Sequence, residues 1–399
     1  MEYTGTGLNK HVIFLGISSF PFGLANIEKT KLIAKALVIT GCECSVLNRK
    51  WYVSYLNNVE FYLSAVYHKI MYYNASGQIQ KPESFIKRNL LKLIMPLKEF
   101  SKIKQINSKN KITDAIVSNR NAFLILYYII MSKLFNFKVY LTVVENAESM
   151  VTRSSISFFN DLIYKKFILK KVDGAFPISE FLINYIKRHA PKQKILKIPI
   201  LCDFEKFEKD KNLKSEKYFL FCGAAAYIEI IRFILNAFNK INNKTYKLYL
   251  ICNGNQKEMD ILRNEILKNK KSELIRIFSG LNEEDLIDRY INAKAMLIPL
   301  RDTDQDKARF PHKIGEYLAS GNPLITTAVG EINYYFQHKE NALIADHYTV
   351  HEYAKLMKYV VDHSGEAEII GKKGKVLGEK YFDYSIFGEK IVNFFNTVK

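Results

Sequence analysis

The stretch Phe310-Pro311-His312-Lys313-Ile314-Gly315-Glu316-Tyr317-Leu318-Ala319-Ser320-Gly321-Asn322-Pro323 decides how this 399-residue chain is read. Its ends mark a short helix. Pro311 stands near the start, where a missing N–H costs least, and Gly321 followed by Pro323 stops it. Lys313 and Glu316, three residues apart, share one face. Just upstream, Ala295–Leu300 is an apolar run suited to a buried strand. A strand, a short loop with Arg309, His312 and Lys313, and then a helix start suit an anionic ligand, because orphan backbone N–H groups and the helix dipole favour negative charge there. A carboxylate one turn into the helix would repel phosphate but accept hydrogen bonds from sugar hydroxyls. The combination points to a nucleotide-sugar pocket; the plainer alternative is a packing helix whose Lys313 and Glu316 form an ordinary surface ion pair.

Outward from this helix, strand-like and helix-like segments alternate, which argues for an α/β class with parallel sheets. His11–Gly16, Ser45–Leu47, Ala115–Ser118, Val139–Val144 and Asp173–Pro177 read as strands of one sheet. Helices are expected over Glu28–Thr40, ended by Gly41, and over Glu180–Arg188, capped by Ser179. Ile198–Asn212 has no clear period and reads as a linker. A second sheet follows with Tyr218–Cys222, Tyr246–Cys252, Ile275–Phe278, Ala295–Leu300 and Leu324–Thr327. Two doubly wound domains with a cleft between them are expected, with ligands beyond the carboxyl ends of the strands.

Length alone favours two domains. Hydrophobic residues at 48% and charged residues at 25% describe a globular chain. The five cysteines (Cys42, Cys44, Cys202, Cys222, Cys252) are odd in number and scattered, which fits a reducing cytosol better than a disulfide framework or a zinc site. No signal peptide is expected, since the N-terminus starts polar. The longest purely apolar stretch, Ala122–Met131, has ten residues. A bilayer span needs roughly 20, so a buried helix is expected there. The net charge of +19 is unevenly placed: Lys81–Lys111 holds nine Lys/Arg against Glu83 and Glu99, interleaved with apolar residues. That basic amphipathic pattern suits an anionic membrane surface. No nucleic-acid module is present, and nucleic acid is not expected as a partner.

From about Asp173 to Tyr384 the chain resembles the retaining GT-B glycosyltransferases of the large group 1 (family 4-like) type, as found in bacterial surface polysaccharide synthesis. The segments occur in the family's order: Asp173-Gly174-Ala175-Phe176-Pro177-Ile178-Ser179; Ile198-Pro199-Ile200-Leu201-Cys202-Asp203; Tyr218-Phe219-Leu220-Phe221-Cys222-Gly223; Leu248-Tyr249-Leu250-Ile251-Cys252-Asn253-Gly254-Asn255; and Phe278-Ser279-Gly280 leading to Ala293–Pro299. The opening helix matches P-x-K-x-x-E-Y-L-A-x-G-x-P, and Phe20-Pro21-Phe22-Gly23-Leu24-Ala25-Asn26 is similar to the family's acceptor-side glycine loop. The resemblance implies a GT-B fold of two Rossmann-like domains: an acceptor-binding domain over 1–205, with a closing helix at about 385–399 packed back on it, and a donor-binding domain over 206–384.

It also implies a reaction, the transfer of a sugar with retention from a nucleoside-diphosphate-sugar to a lipid-linked or oligosaccharide acceptor, without metal or other cofactor. The setting would be cytoplasmic, peripheral on the inner face of the cell membrane. Glu316 would hold the ribose hydroxyls, and the amides of Gly330 and Glu331 would approach phosphate. Gly223, Asn253 and Gly254 would line the donor turns, and Gly23 would let the first loop come close to the sugar. Asp302-Thr303-Asp304 has metal-site spacing but reads as solvated charge. The chain departs from the pattern at three places. Ala308 replaces a glutamate, Ala224 replaces an arginine and Glu229 replaces a lysine. Without the two cations a diphosphate loses several kcal/mol of attraction in a half-buried site. Arg309 and Lys313 are the nearest substitutes, with Arg232 behind them, and the first two are assigned to leaving-group stabilisation. Glu145, at the end of strand Val139–Val144, is the candidate for polarising the acceptor hydroxyl. The missing clamp keeps a second reading open, a non-catalytic sugar-nucleotide-binding subunit of a glycan-assembly complex.

Overall fold

The structure is a computed structural model that describes residues 9–23, 25–51, 62–145, 155–210 and 216–398. The chain forms two compact units: Met1–Leu201 with Tyr384–Lys399, and Cys202–Asp383.

Unit 1 opens with β1 (His11–Ile17), α1 (Ala25–Ile39) and β2 (Glu43–Asn48), followed by a hairpin of β3 (Ser64–Tyr67) and β4 (Ile70–Asn74). Then come α2 (Phe85–Lys109), β5 (Asp114–Val117), α3 (Ala122–Phe135), β6 (Lys138–Val143) and α4 (Ser155–Ile163). A π-helical turn, Tyr164–Ile168, runs into α5 (Leu169–Lys171), β7 (Gly174–Pro177) and α6 (Glu180–His189). The seven strands lie in the order β3-β4-β2-β1-β5-β6-β7, all parallel except edge strand β3. Apolar residues fill β1 on both faces, as a sheet covered by helices on both sides requires. Ser84, Asn121 and Ser179 cap α2, α3 and α6 through their side chains.

Unit 2 begins with a 3₁₀ turn, Phe204–Phe207, then β8 (Tyr218–Ala224), α7 (Ile228–Lys240), β9 (Lys247–Asn253), α8 (Gln256–Leu267), β10 (Ile275–Phe278) and α9 (Glu283–Asn292). It continues with β11 (Ala295–Leu297), α10 (Asp304–Ala308), α11 (Lys313–Ala319), β12 (Leu324–Thr327), α12 (Ile332–Tyr335), β13 (Leu343–Ala345), α13 (Val350–Asp362) and α14 (Ser364–Phe382). Its six strands are parallel, in the order β10-β9-β8-β11-β12-β13. The last helix, α15 (Phe387–Thr397), belongs to unit 1, where Phe394 and Phe395 pack on Tyr140 and Phe176.

Both sheets are doubly wound, the α/β architecture expected from the alternation of elements. Three local expectations need correction. The stretch Ala122–Met131 is helical but not a buried helix: Phe123, Leu126 and Ile130 face outward. The link from β11 to α11 is not a short loop, since α10 is inserted in it with Thr303 as its cap. The hairpin β3–β4 and strand β13 add three strands that the apolar runs did not mark. Of the residues singled out in the sequence, Leu24, 211 and 212 lie outside the described residues. Among the described residues no helix is long and apolar enough to cross a membrane.

Candidate active site

In unit 2 the carboxyl ends of β8, β9 and β10 are knitted through Asn253, by its backbone and its side chain. Ala225 N donates to Asn253 O at 2.9 Å, and Gly280 N donates to Asn253 Oδ1 at 2.9 Å. Gly223 lies near the end of β8 and Gly254 in the turn after β9, and Ala224, Asn253 and Gly254 are exposed there. Asn255 and Glu258 form a reciprocal capping box that starts α8 directly after Gly254.

α11 is fastened beneath these turns by a contact that spacing does not reveal. Cys222 N donates to Tyr317 Oη at 2.8 Å, and Tyr317 is fully buried. Tyr290 of α9 crosses Tyr317 edge to face, with centroids 5.5 Å apart. At the other end of α11, Asn322 Nδ2 donates to Tyr290 O at 2.6 Å and Ile291 O at 3.0 Å. These contacts hold Glu316 and Lys313 on the side of α11 near Cys222 and Tyr290. Lys313 Nζ lies 2.7 Å from Glu316 Oε2 and 5.6 Å from the Tyr290 ring centroid. Burial pushes the Cys222 thiol up, opposed by the Lys313 charge and the Tyr290 hydroxyl. Burial likewise pushes Tyr290 well above an ordinary phenol.

The amides at the start of α11 are partly committed: Ile314 N donates to Pro311 O at 3.0 Å and Gly315 N to His312 O at 3.1 Å. Two backbone donors of this helix start are therefore taken, and Lys313 is the cation on its first turn. Arg309 is the C-terminal cap of α10, half-buried, one residue before Phe310. Gly330 has a φ of +56°, a left-handed conformation that favours glycine, and the Lys307 backbone would lie 3.1 Å from a Cβ placed there. The turn therefore passes tightly over α10, with the buried Glu331 carboxylate next in the chain.

The residues at the missing clamp are both solvent-exposed, Ala224 at the end of β8 and Glu229 in the first turn of α7. Arg232 is held by Glu229 at 2.5 Å and Glu265 at 2.8 Å, a pairing along the outside of α7 and α8. Its charge is spent there. Asp302 pairs with Lys307 at 2.6 Å. Among the described residues no group of three or more His, Cys, Asp or Glu is placed to hold a metal ion.

In unit 1, Glu145 lies just past the carboxyl end of β6 and accepts from Arg120 Nη1 at 3.1 Å. Both line a small depression with Thr142, Asp161, Tyr164 and Tyr185. Arg120, Asp161 and Tyr185 carry no motif; they come from the loop before α3, from α4 and from the middle of α6, and only the fold brings them together. Gly23 is accounted for locally, because Ile27 Cγ1 would come within 2.5 Å of a Cβ there.

Residues 203–376 match the family model described as Glycosyl transferases group 1. No curated protein gives a significant match to the sequence. Among solved structures, the chain is similar to a sucrose-phosphate synthase from Thermosynechococcus elongatus, with TM-score 0.75, 14% identity and coverage of 97% of this chain and 98% of that one. It is also similar to a glycosyltransferase from Rickettsia africae ESF-5, with TM-score 0.71, 14% identity and coverage of 98% and 99%. A third likeness is to HepE of Anabaena in complex with UDP and glucose, with TM-score 0.69, 11% identity and coverage of 97% and 100%. Residues 203–376 are thus a Glycosyl transferases group 1 domain on a GT-B scaffold, and the protein is a glycosyltransferase.

Proposed function

We propose that this glycosyltransferase moves a sugar, with retention, from a nucleoside-diphosphate-sugar bound by unit 2 to a lipid-linked glycan acceptor bound by unit 1. The work is done on the cytoplasmic face of the cell membrane, in surface-polysaccharide synthesis, without a metal. The observation that carries the reading is the Glu316–Lys313 pair on α11, fastened under the β8 turn within the family-matched segment. In this reading Glu316 turns to the ribose hydroxyls when donor binds, which frees the Lys313 ammonium for the diphosphate. Arg309 joins it, and together they supply the charge that Ala224 and Glu229 do not. The turns at Gly223, Asn253–Gly254 and Gly330–Glu331 shape the rest of the donor pocket. Gly23 belongs to the loop of unit 1 that approaches the transferred sugar. HepE's complex with UDP and glucose supports a uridine nucleotide as the first donor to try.

On the acceptor side, Glu145 polarises the attacking hydroxyl and Arg120 orients it. The basic segment Lys81–Lys111 brings unit 1 to the anionic surface where such acceptors reside. Thermal-shift titration with UDP, GDP and ADP, followed by turnover of the matching sugar donors with lipid-linked acceptors, tests this. Stabilisation by one nucleotide and transfer from its sugar are expected. If none of the three stabilises the protein and no donor is turned over, the reading fails. Arg309→Ala should raise the donor KM and lower kcat together; unchanged kinetics would remove Arg309 from the pocket.

A further inference from the structure

Three helices of unit 1 turn apolar stripes to the outside. On α2, Ile86, Leu90, Leu93 and Leu97 recur at helical spacing and are each more than half exposed. On α3, Phe123, Leu126, Ile130 and Leu134 also recur at helical spacing and are exposed, Leu126 at 42% and the other three more than half. On α4, Ile156 is 82% exposed and Phe158 and Phe159 more than half. The stripes are neighbours. Tyr128 Oη donates to Glu99 Oε1 at 2.7 Å and Tyr127 Oη to Pro96 O at 2.7 Å, tying α3 to α2. Ala122 N donates to Asn160 Oδ1 at 2.8 Å, and the Phe123 and Phe159 rings lie 6.4 Å apart, tying α3 to α4. A contiguous outward apolar surface of this kind marks a place where something docks.

Charge selects the occupant. The acidic side chains of α2, α3 and α4 are Glu99 and Asp161, and both are buried. Among the described residues, the outer surface of α2, α3 and α5 and the turn after α4 carries Lys87, Lys92, Lys104, Lys133, Lys166 and Lys170, against one exposed carboxylate, Glu83, just before α2. A second copy of this face would bring cation against cation. An anionic lipid surface satisfies both the apolar stripes and the lysines.

We propose that unit 1 seats the outward faces of α3 and α4 within one leaflet of an anionic membrane, with α2 beside them among the headgroups, so that attachment is by insertion and not by charge alone. This rests on the reading above that the acceptor is lipid-linked, and it places the acceptor. Arg120, which pairs with Glu145, precedes Phe123 by three residues, at most about 10 Å of chain. The depression at Arg120 and Glu145 then lies at headgroup level, suited to a sugar carried directly beneath its lipid.

The test uses the full chain and vesicles of phosphatidylcholine with and without phosphatidylglycerol, with no substrate present. A tryptophan is placed by Ile130→Trp in a Trp51→Phe background, and circular dichroism melting confirms that each variant folds. Blue-shifted emission, quenching by acyl-chain-brominated lipid, and vesicle binding that high salt weakens without abolishing are expected. The exposed pair Leu126→Asp and Ile130→Asp should weaken partitioning at least roughly tenfold at either salt. Binding that salt removes completely, with no quenching, would overturn insertion while leaving charge-driven attachment by α2. Absence of binding to phosphatidylglycerol vesicles would overturn both. A concentration-dependent dimer that Leu126→Asp dissolves would reassign the face to self-association and overturn the proposal. Failure of sugar transfer is read in a separate assay and leaves these outcomes unaffected.

Discussion

Lys29 is buried inside unit 1 on α1, with Nζ donating to Ile198 O at 3.1 Å, and burial lowers its pKa from 10.5 to about 7. Above pH 7 the folded amine is mostly neutral, while the unfolded one stays protonated to about pH 10.4. The unfolded chain therefore holds the extra proton in that window, and folding stability rises with pH across it. Below pH 7 the full cost of burying the charge is present. Lys29→Met removes the charge and leaves one carbonyl unpaired, so a net gain of about 2 kcal/mol at pH 7 is expected. Urea unfolding at pH 7 and pH 9 checks it: the native chain should gain stability between the two, and the variant should gain less. Tyr317 makes a second case. Removing its hydroxyl strands the half-buried Cys222 N–H, and Tyr317→Phe should cost about 1–2 kcal/mol and raise the donor KM by loosening the end of β8. Thermal melting and donor titration measure the two effects. The Lys313–Glu316 pair was legible in the sequence because three residues separate its members. The Tyr317–Cys222 bond was not, because its partners are 95 residues apart and only the sheet brings them together.

Among the elements, α2 is the one whose anchoring is most polar. Glu99 is fully buried beneath it, 3.3 Å from Arg49 Nε and bonded to Tyr128, and burial raises its pKa despite both partners. Removing one member of such a pair leaves the other uncompensated, so Glu99→Ala should cost about 3 kcal/mol. Hydrogen exchange should quicken first in α2, and unchanged exchange there would refute the anchoring role. The strands and helices that alternate cleanly were readable from period alone. α3 was misjudged for a physical reason: its inward residues (Leu124, Ile125, Tyr128, Ile129) and its outward ones (Phe123, Leu126, Ile130, Leu134) are all apolar, so the periodic contrast that marks a surface vanishes. Strand β13 has three residues and β3 alternates exposed with half-buried side chains, too little apolar signal to register.

For the whole molecule, each unit has its own hydrophobic core, one around β1, α1 and α15 and the other around β8, α7 and α13. Donor nucleotide bound by the second should protect that unit from hydrogen exchange, chiefly at 222–225, 253–255, 313–317 and 330–331, with stabilisation of about 2.7 kcal/mol at a hundredfold excess over Kd. Protection confined to unit 1 would contradict the assignment. The two-sheet plan could be read from the order of the motifs, whereas the outward apolar face and the depression at Arg120 needed the fold to place residues from different elements together. The account stands most directly on Glu316. Initial rates of sugar transfer from the stabilising nucleotide's sugar donor to a lipid-linked acceptor should be compared for the native chain and Glu316→Ala, with folding checked by melting. The account predicts transfer by the native chain and a loss of roughly 10²–10³-fold in kcat/KM for the variant; transfer at an undiminished rate by Glu316→Ala, or none by the native chain, would contradict it.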